Sequence, residues 1–308
     1  MNFYENQVIA ALAAIFGRAH EGVEVGIGDD GAVVSTTAKS VITTDMAVEG
    51  THFNSRWSSA FDIGRKITAA NLADIYAMGA TPQYLLVALS LIGDETMEWI
   101  EELAQGITHE AKSCGARVVG GDLTRGPIKV ISMTALGNVE KAALRSGAQA
   151  GDSIYLSSLP GWSAAGLHLA SLEKNFTGDL EEYALSEFSA PTVDYSSAIS
   201  FAAGGANSIC DVSDGLLIQG KQVADASGVA LHFMAEKFKA HAEFAQLEEL
   251  AKTFGIDIWQ WIFAGGEDHV FLATGTNLDG FEVGVVEKGS GLLGLEMKKA
   301  PDTWRHFN

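Results

Sequence analysis

The stretch RKITAANLADIYAMGATPQYLLVALSL, residues 65–91, decides the fold class. From Arg65 to Met78 it carries a helical pattern, and Gly79 stands at the C′ position where helices close. The apolar run Tyr84–Leu91 then reads as a buried strand. A helix handed directly to a strand is the unit of an α/β fold, and the same alternation extends in both directions. Toward the N-terminus, Asn2–Phe16 forms an amphipathic helix with Val8, Leu12 and Ile15 on one face. The short runs Val23–Ile27, Ala32–Val34 and Ser40–Thr43 follow as strands, the first closed by Gly28. Toward the C-terminus, Glu95–Ser113 is a long helix with acids in its first turns, and Arg117–Val119 and Ile128–Gly137 are strands. Apolar patterning lapses at Ser146–Gly151, which sets expected domains at 1–145 and 146–308. Beyond that lapse come a strand at Ser153–Ser157, helices near 163–172 and 180–188, a strand at Ser208–Val212, a helix from Gly215 and another near 242–253. Each half is therefore expected to be an α/β (α+β) domain.

The chain has 308 residues, 47% of them hydrophobic and 19% charged, so it can bury a sizeable core and is not disordered. With 39 acids against 20 bases the formal charge is −19, which gives no bulk attraction to nucleic acid or to anionic lipid. The longest apolar stretch, Tyr84 to Ile92, falls far short of the ~20 residues that span a bilayer. The opening MNFYENQ has neither a basic nor an apolar signal region, so a cytoplasmic protein is expected. Cys114 and Cys210 form neither a disulfide framework nor a CxxC pair. The 34 glycines are dispersed, mainly at tight turns and often beside acids.

The acids carry the chemistry. They cluster where strands are expected to end: Gly28-Asp29-Asp30, Thr43-Thr44-Asp45, Gly120-Gly121-Asp122, Asp211-Val212-Ser213-Asp214-Gly215 and Gly265-Gly266-Glu267-Asp268. A sixth, Asp74, lies within a helix among apolar neighbours, where a lone carboxylate is costly. Any one cluster is ordinary turn chemistry. Loops at the carboxyl ends of strands are where α/β folds place ligands, and six acid sites converging on one such cleft would repel one another unless divalent cations filled it. Hard oxygen donors, the Thr43 and Thr44 hydroxyls included, favour Mg²⁺, and the eight histidines form no zinc motif. Two other motifs are weaker. Gly26–Gly31 satisfies GxGxxG, but two aspartates fill its variable positions and a strand follows. Gly215–Gln222 nearly spells a phosphate-binding loop, but its interior is helical and Gln222 replaces the required Ser or Thr.

In order, GIGDDGAVV, TTDMAVEGTHF, NLADIYAMGATP, GGDLTRGP, LRSGAQAGD, DVSDGL, GGED and the terminal WRHF resemble the thiamine-monophosphate kinase family. That family belongs to the superfamily of aminoimidazole ribonucleotide synthetase and selenophosphate synthetase, and the resemblance runs from about residue 26 to the end. It implies two α/β domains, the N-terminal sheet pairing across a homodimer. The implied activity is ATP-dependent phosphorylation of thiamine monophosphate to thiamine diphosphate, assisted by several Mg²⁺ ions. The metal-serving residues it implies are Asp30, Thr43, Thr44, Asp45, Asp74, Asp122, Asp211 and Asp214, with Asp30, Asp74, Asp122 and Asp211 central to catalysis. Gly121, Asp122, Arg145 and Ser213 would contact ATP, and His52, Glu267 and Trp304 the thiamine substrate.

Departures from the family fall at Ser189–Val193, where relatives often carry an HPxPR-like motif, and at His269, which replaces an aromatic residue. They bear on substrate grip more than on metal. On residue chemistry alone, Arg145 also reads as a surface arginine, His52 as a structural histidine and Trp304 as a core anchor. Three rival functions compete: a superfamily sibling activating an amide or formyl oxygen with ATP, a dinucleotide oxidoreductase built on Gly26–Gly31, and a non-enzymatic cation-binding protein.

Overall fold

A computed structural model describes residues 5–17, 22–25, 33–36 and 39–295. The acid turn at 26–31, with Asp30, and the terminal segment bearing Trp304 lie outside the described residues. The chain divides into two compact units, Met1–Tyr76 with Ala80–Ala142, and Ala77–Gly79 with Ala143–Asn308.

The first unit opens with α1 (Glu5–Phe16) and a small antiparallel pair, β1 (Val23–Val25) and β2 (Val33–Val34). Its main sheet has four strands: β3 (Ser40–Val48), β4 (Thr81–Leu91), β5 (Arg117–Arg125) and β6 (Val130–Asn138). They lie in the order β3-β6-β4-β5; only β4 and β5 run parallel. Two helices accompany them, α2 (Ala60–Ala77) and α3 (Met97–Ser113). The Tyr84 hydroxyl of β4 lies 3.0 Å from the Gly22 carbonyl and 3.1 Å from that of Ser35, and its one proton serves either of these residues flanking the β1–β2 pair.

Both helices begin on side-chain caps. Ser59 Oγ accepts from the Asp62 amide at 3.1 Å and donates to the Asp62 carboxylate at 2.7 Å; Thr96 accepts from the Trp99 amide at 3.1 Å. Glycines let the two helices meet backbone to backbone. A Cβ on Gly64 would stand 2.3 Å from the Leu103 carbonyl oxygen, and one on Gly106 only 1.9 Å from that of Phe61. The sheet face carrying Leu85, Val87, Met133 and Ala135 is buried, while the opposite face leaves Ile42, Met46 and Leu86 exposed.

Strands β3 and β5 run further than the sequence pattern indicates. Thr43-Thr44-Asp45 and Gly121-Asp122 do not end strands but lie within them. Cross-strand pairing with β6 and β4 outweighs the local turn preference of Gly and Asp there.

The second unit holds six strands: β7 (Ser153–Leu156), β8 (Ser208–Val212), β9 (Ala230–Phe233), β10 (Val270–Gly275), β11 (Phe281–Glu287) and β12 (Gly291–Leu293). Their order is β12-β9-β11-β7-β10-β8, antiparallel except for β12 beside β9. Helices α4 (Trp162–Ser171), α5 (Asp179–Ser189), α7 (Leu216–Ser227) and α9 (Phe244–Phe254) match the expected ones closely. Helices α6 (Tyr195–Ala203), α8 (Ala235–Lys239) and α10 (Ile258–Ala264) are additions. The last, IWQWIFA, is short and almost wholly apolar, so periodicity cannot separate it from a strand. Its aromatics join a buried cluster in which Phe233, Phe238 and Phe263 are at most 1% exposed. No helix among the described residues is long and apolar enough to cross a membrane.

The close approach of α2 and α3 sets a stability test. Gly106→Ala should lower stability by about 1–3 kcal/mol, because the added methyl must separate two backbones. The check is a lower denaturant midpoint with an unchanged slope.

Candidate active site

In the first unit, strand alternation sorts the expected site residues onto two faces. Thr43 and Asp45 stand opposite Ala135 and Met133 on the buried face. There Thr43 Oγ1 donates to Asp74 Oδ2 at 2.6 Å. Asp74 is half-buried on α2, and its neighbours Leu72, Ala73 and Ile75 are fully buried. Helix and strand thus bring a hydroxyl and a carboxylate together from 31 residues apart.

Thr44 faces the other way: its hydroxyl donates to the Met133 carbonyl at 2.9 Å and accepts from Thr134 Oγ1 at 3.2 Å. Asp122 pairs with Ala88 in the row that also holds Ser132 and Met46, on the same outer face as Thr44. Strands β3 and β5 are opposite edges of the sheet, three spacings or about 14 Å apart. Asp45 and Asp122 are therefore not brought together within the unit. Gly121 is required sterically, since a Cβ there would lie 1.8 Å from the Val87 carbonyl oxygen. His52 Nδ1 accepts from the Val48 amide at 3.1 Å, which places any proton of the neutral ring on Nε2.

Among the described residues, no group of three or more His, Cys, Asp or Glu stands close enough to hold a metal ion. Mg²⁺ does not need such a cage, because it is commonly held by one or two carboxylates with water and substrate phosphate. Thr43, Asp45 and Asp74 supply only hydroxyl and carboxylate oxygens, a donor set that fits a hard cation. A cavity of about 260 Å³ beside α3 is lined by Phe16, Thr108, Lys112, Arg117 and neighbours, and by none of the expected site residues.

In the second unit, Asp211 is the next-to-last residue of β8 and 3% exposed, with His269 Nδ1 3.4 Å from its Oδ2 and itself 5% exposed. Cys210, one residue earlier, is wholly buried, and that burial pushes its thiol pKa well up. Past the strand, Gln219 of α7 brackets the turn: its carbonyl accepts from the Asp214 amide at 3.2 Å, and its amide donates to Ser213 Oγ at 3.2 Å. One helical turn on, Gln222 Oε1 accepts from Arg145 Nη1 at 2.9 Å. Neither glutamine was nominated from sequence. Their signal is the i, i+3 spacing on the helix that follows DVSDG. The segment resembling a phosphate loop is the start of this helix.

The Gly265–His269 loop lies against the same turn, and the Glu267 amide donates to the Ser213 carbonyl at 2.6 Å. Asp268 points inward and accepts from the amides of Ser163 (2.8 Å) and Gly161 (2.9 Å) at the start of α4. Burial raises its pKa to about 6, opposed by those two amides. Nearby, Tyr183 packs edge-on to Trp162 at 4.7 Å. Its pKa rises to about 12, first through burial and then through Glu187, Glu243 and Asp268.

The N-terminal domain of AIR synthase related proteins matches residues 28–139, which sets the class of the first unit. The thiamine-monophosphate kinase of Mycobacterium tuberculosis is 37% identical over 256 residues, covering 82% of this chain and 74% of that one. Among solved structures, thiamine-monophosphate kinase from Stenotrophomonas maltophilia K279a has a TM-score of 0.80 at 30% identity, covering 95% and 96% of the two chains. AaThiL complexed with AMPPCP and TMP matches with the same TM-score and identity over 87% of each chain. The chain belongs to the thiamine-monophosphate kinase family, as its ordered motifs indicate, and its mixed α/β fold is that family's.

Asp268 gives this site a pH signature. Its folded pKa, about 6, lies above the ordinary 3.8, so its contribution to stability is full below about pH 4 and is lost as pH rises through 6. Asp268→Asn removes that dependence. Relative to wild type, the variant's melting temperature should therefore climb between pH 5 and pH 7.5, as measured by calorimetry at several pH values.

Proposed function

We propose that the protein transfers the γ-phosphoryl group of ATP to thiamine monophosphate, yielding thiamine diphosphate and ADP. The observation that carries this is the family relationship, joined to a solved relative that holds an ATP analogue together with TMP. The attacking atom is a phosphate oxygen of thiamine monophosphate. It forms a bond to the γ-phosphorus as the bond to the β–γ bridging oxygen breaks in line, and the electron pair leaves with ADP. That oxygen is already mostly ionised at pH 7, since the second pKa of a phosphate monoester is about 6, so no strong general base is needed.

The task of the protein is to seat two polyanions in line. Arg145, Gly121, Asp122 and Ser213 take ATP; His52, Glu267 and Trp304 take the thiamine substrate, whose cationic thiazolium suits an acidic and aromatic surround. Gln222 holds the Arg145 guanidinium by its carbonyl, and Gln219 sets the turn that presents Ser213. Thr43, Asp45 and Asp74, with Asp30, Asp122, Asp211 and Asp214, are the residues that would hold Mg²⁺; Thr44, turned to the outer face with its hydroxyl engaged by Met133 and Thr134, is not among them. When bound, the metal ions supply neutralisation of the phosphate charge. The Thr43–Asp74 hydrogen bond at 2.6 Å orients the Asp74 carboxylate for that role.

We place the enzyme in the cytoplasm as a homodimer. The support for the dimer is the outer sheet face, where Ile42 is 65% and Met46 58% exposed in a row that a second copy of the sheet would cover.

Two experiments test these readings. With ATP and Mg²⁺, ADP release should require thiamine monophosphate; release with an aminoimidazole precursor instead would move the protein to a sibling activity. In the same assay, Asp74→Asn should lower turnover by about two orders of magnitude or more while the fold is kept, because the amide is near-isosteric but loses the charge. For the dimer, Ile42→Lys should shift the sedimentation coefficient to that of a monomer; an unchanged value would rule this face out as the interface.

A further inference from the structure

We infer that Asp268 is a positioning residue, tying the Gly265–His269 loop to the start of α4 so that Glu267 is presented to the substrate; the inference rests on the reading of Glu267 as a substrate residue. The loop is held in a conformation that side chains seldom adopt. Glu267 has φ +66° and His269 φ +50°, two left-handed non-glycine residues on either side of Asp268. Such a segment persists only where its surroundings over-determine it.

Three contacts supply that determination. The Glu267 amide reaches the Ser213 carbonyl at 2.6 Å, and both oxygens of Asp268 are committed, Oδ2 to the Gly161 amide and Oδ1 to the Ser163 amide. The loop also presses tightly on its neighbours. A Cβ on Gly265 would meet the Trp261 carbonyl oxygen at 2.3 Å, and one on Gly266 the Ser213 carbonyl oxygen at 2.4 Å.

The partner end of the tie is equally specific. Helix α4 has Gly161 at its N-cap, with no side chain of its own to accept its first amides. It takes that acceptor instead from Asp268, more than a hundred residues away in sequence. With both oxygens occupied and the residue buried, Asp268 does not itself touch substrate. Its neighbour Glu267 is only half-buried. Fixing Asp268 therefore fixes the backbone from which the neighbouring Glu267 side chain extends.

The test compares wild type, Asp268→Asn and Glu267→Gln in steady-state assays at pH 8, with melting temperatures alongside. Glu267→Gln should raise the KM for thiamine monophosphate about ten-fold with the KM for ATP unchanged, as loss of a substrate contact does. Asp268→Asn should reproduce that split, about ten-fold in the thiamine monophosphate KM and less than two-fold for ATP, without lowering the melting temperature. If Glu267→Gln leaves the thiamine monophosphate KM unmoved, the substrate reading of Glu267 fails and takes the inference with it. If Glu267→Gln shows the split and Asp268→Asn does not, only the positioning role is overturned. Asp268→Asn raising both KM values while melting lower would make the residue merely structural.

A measurement on the wild type covers the case in which the variant does not fold. Adding thiamine monophosphate should slow amide exchange in residues 160–164 together with 265–269, and unchanged exchange at 160–164 overturns the tie.

Discussion

Strand pairing governs where this protein can put its negative charge. Asp45, Asp122 and Asp211 lie within hydrogen-bonded strands, so their backbones cannot drift apart to relieve repulsion. A carboxylate on a flexible loop lowers its energy by moving; one in a ladder must find a donor, a cation or a protein dipole where it stands. Several of the acids, on strand, helix and turn alike, meet a local partner. Asp74 meets the Thr43 hydroxyl, Asp211 lies beside His269, and Asp214 faces the Gln219 amide at 3.4 Å. This is why a chain of formal charge −19 can carry its acids inside elements and not only on solvated turns.

Long-range partnership recurs at the helix ends. Helix α3 brings its own cap in Thr96, as its sequence advertises, whereas α4 begins at a glycine and borrows a carboxylate from the loop before β10. The borrowed cap links the packing of a helix to the geometry of a functional loop. Its cost is the desolvation of a fully buried carboxylate, which its raised pKa records.

Much of the fold was legible in the sequence because long elements with a single period leave little choice. Helices α2 and α3 and strand β8 fall within a few residues of where periodicity and glycine stops put them, β8 at the same bounds. The extents of β3 and β5 were hidden because Thr-Thr-Asp and Gly-Gly-Asp carry turn signals locally, and only cross-strand partners reveal that the ladder continues. The hydrogen bond from Thr43 to Asp74 joins a strand to a helix 31 residues away, and the acid pattern names both residues without pairing them. The division of Thr43 from Thr44 follows from the two-residue period once β3 is known to run through them. Gln219, Gln222 and the inward turn of Asp268 depend on contacts between distant segments, which no local pattern carries. Asp30 and Trp304, named on resemblance, stand outside the described residues.

Cys210 has a practical meaning beyond the core it fills. Its side chain is wholly enclosed, its thiolate is suppressed by that enclosure, and its strand ends one residue past the Asp211 carboxylate. A thiol reagent can reach the sulfur only when β8 leaves its place at the edge of the sheet. The rate at which Cys210 becomes alkylated is therefore a clock for excursions of this strand. It reports how often the scaffold beneath the DVSDG turn opens in the folded protein.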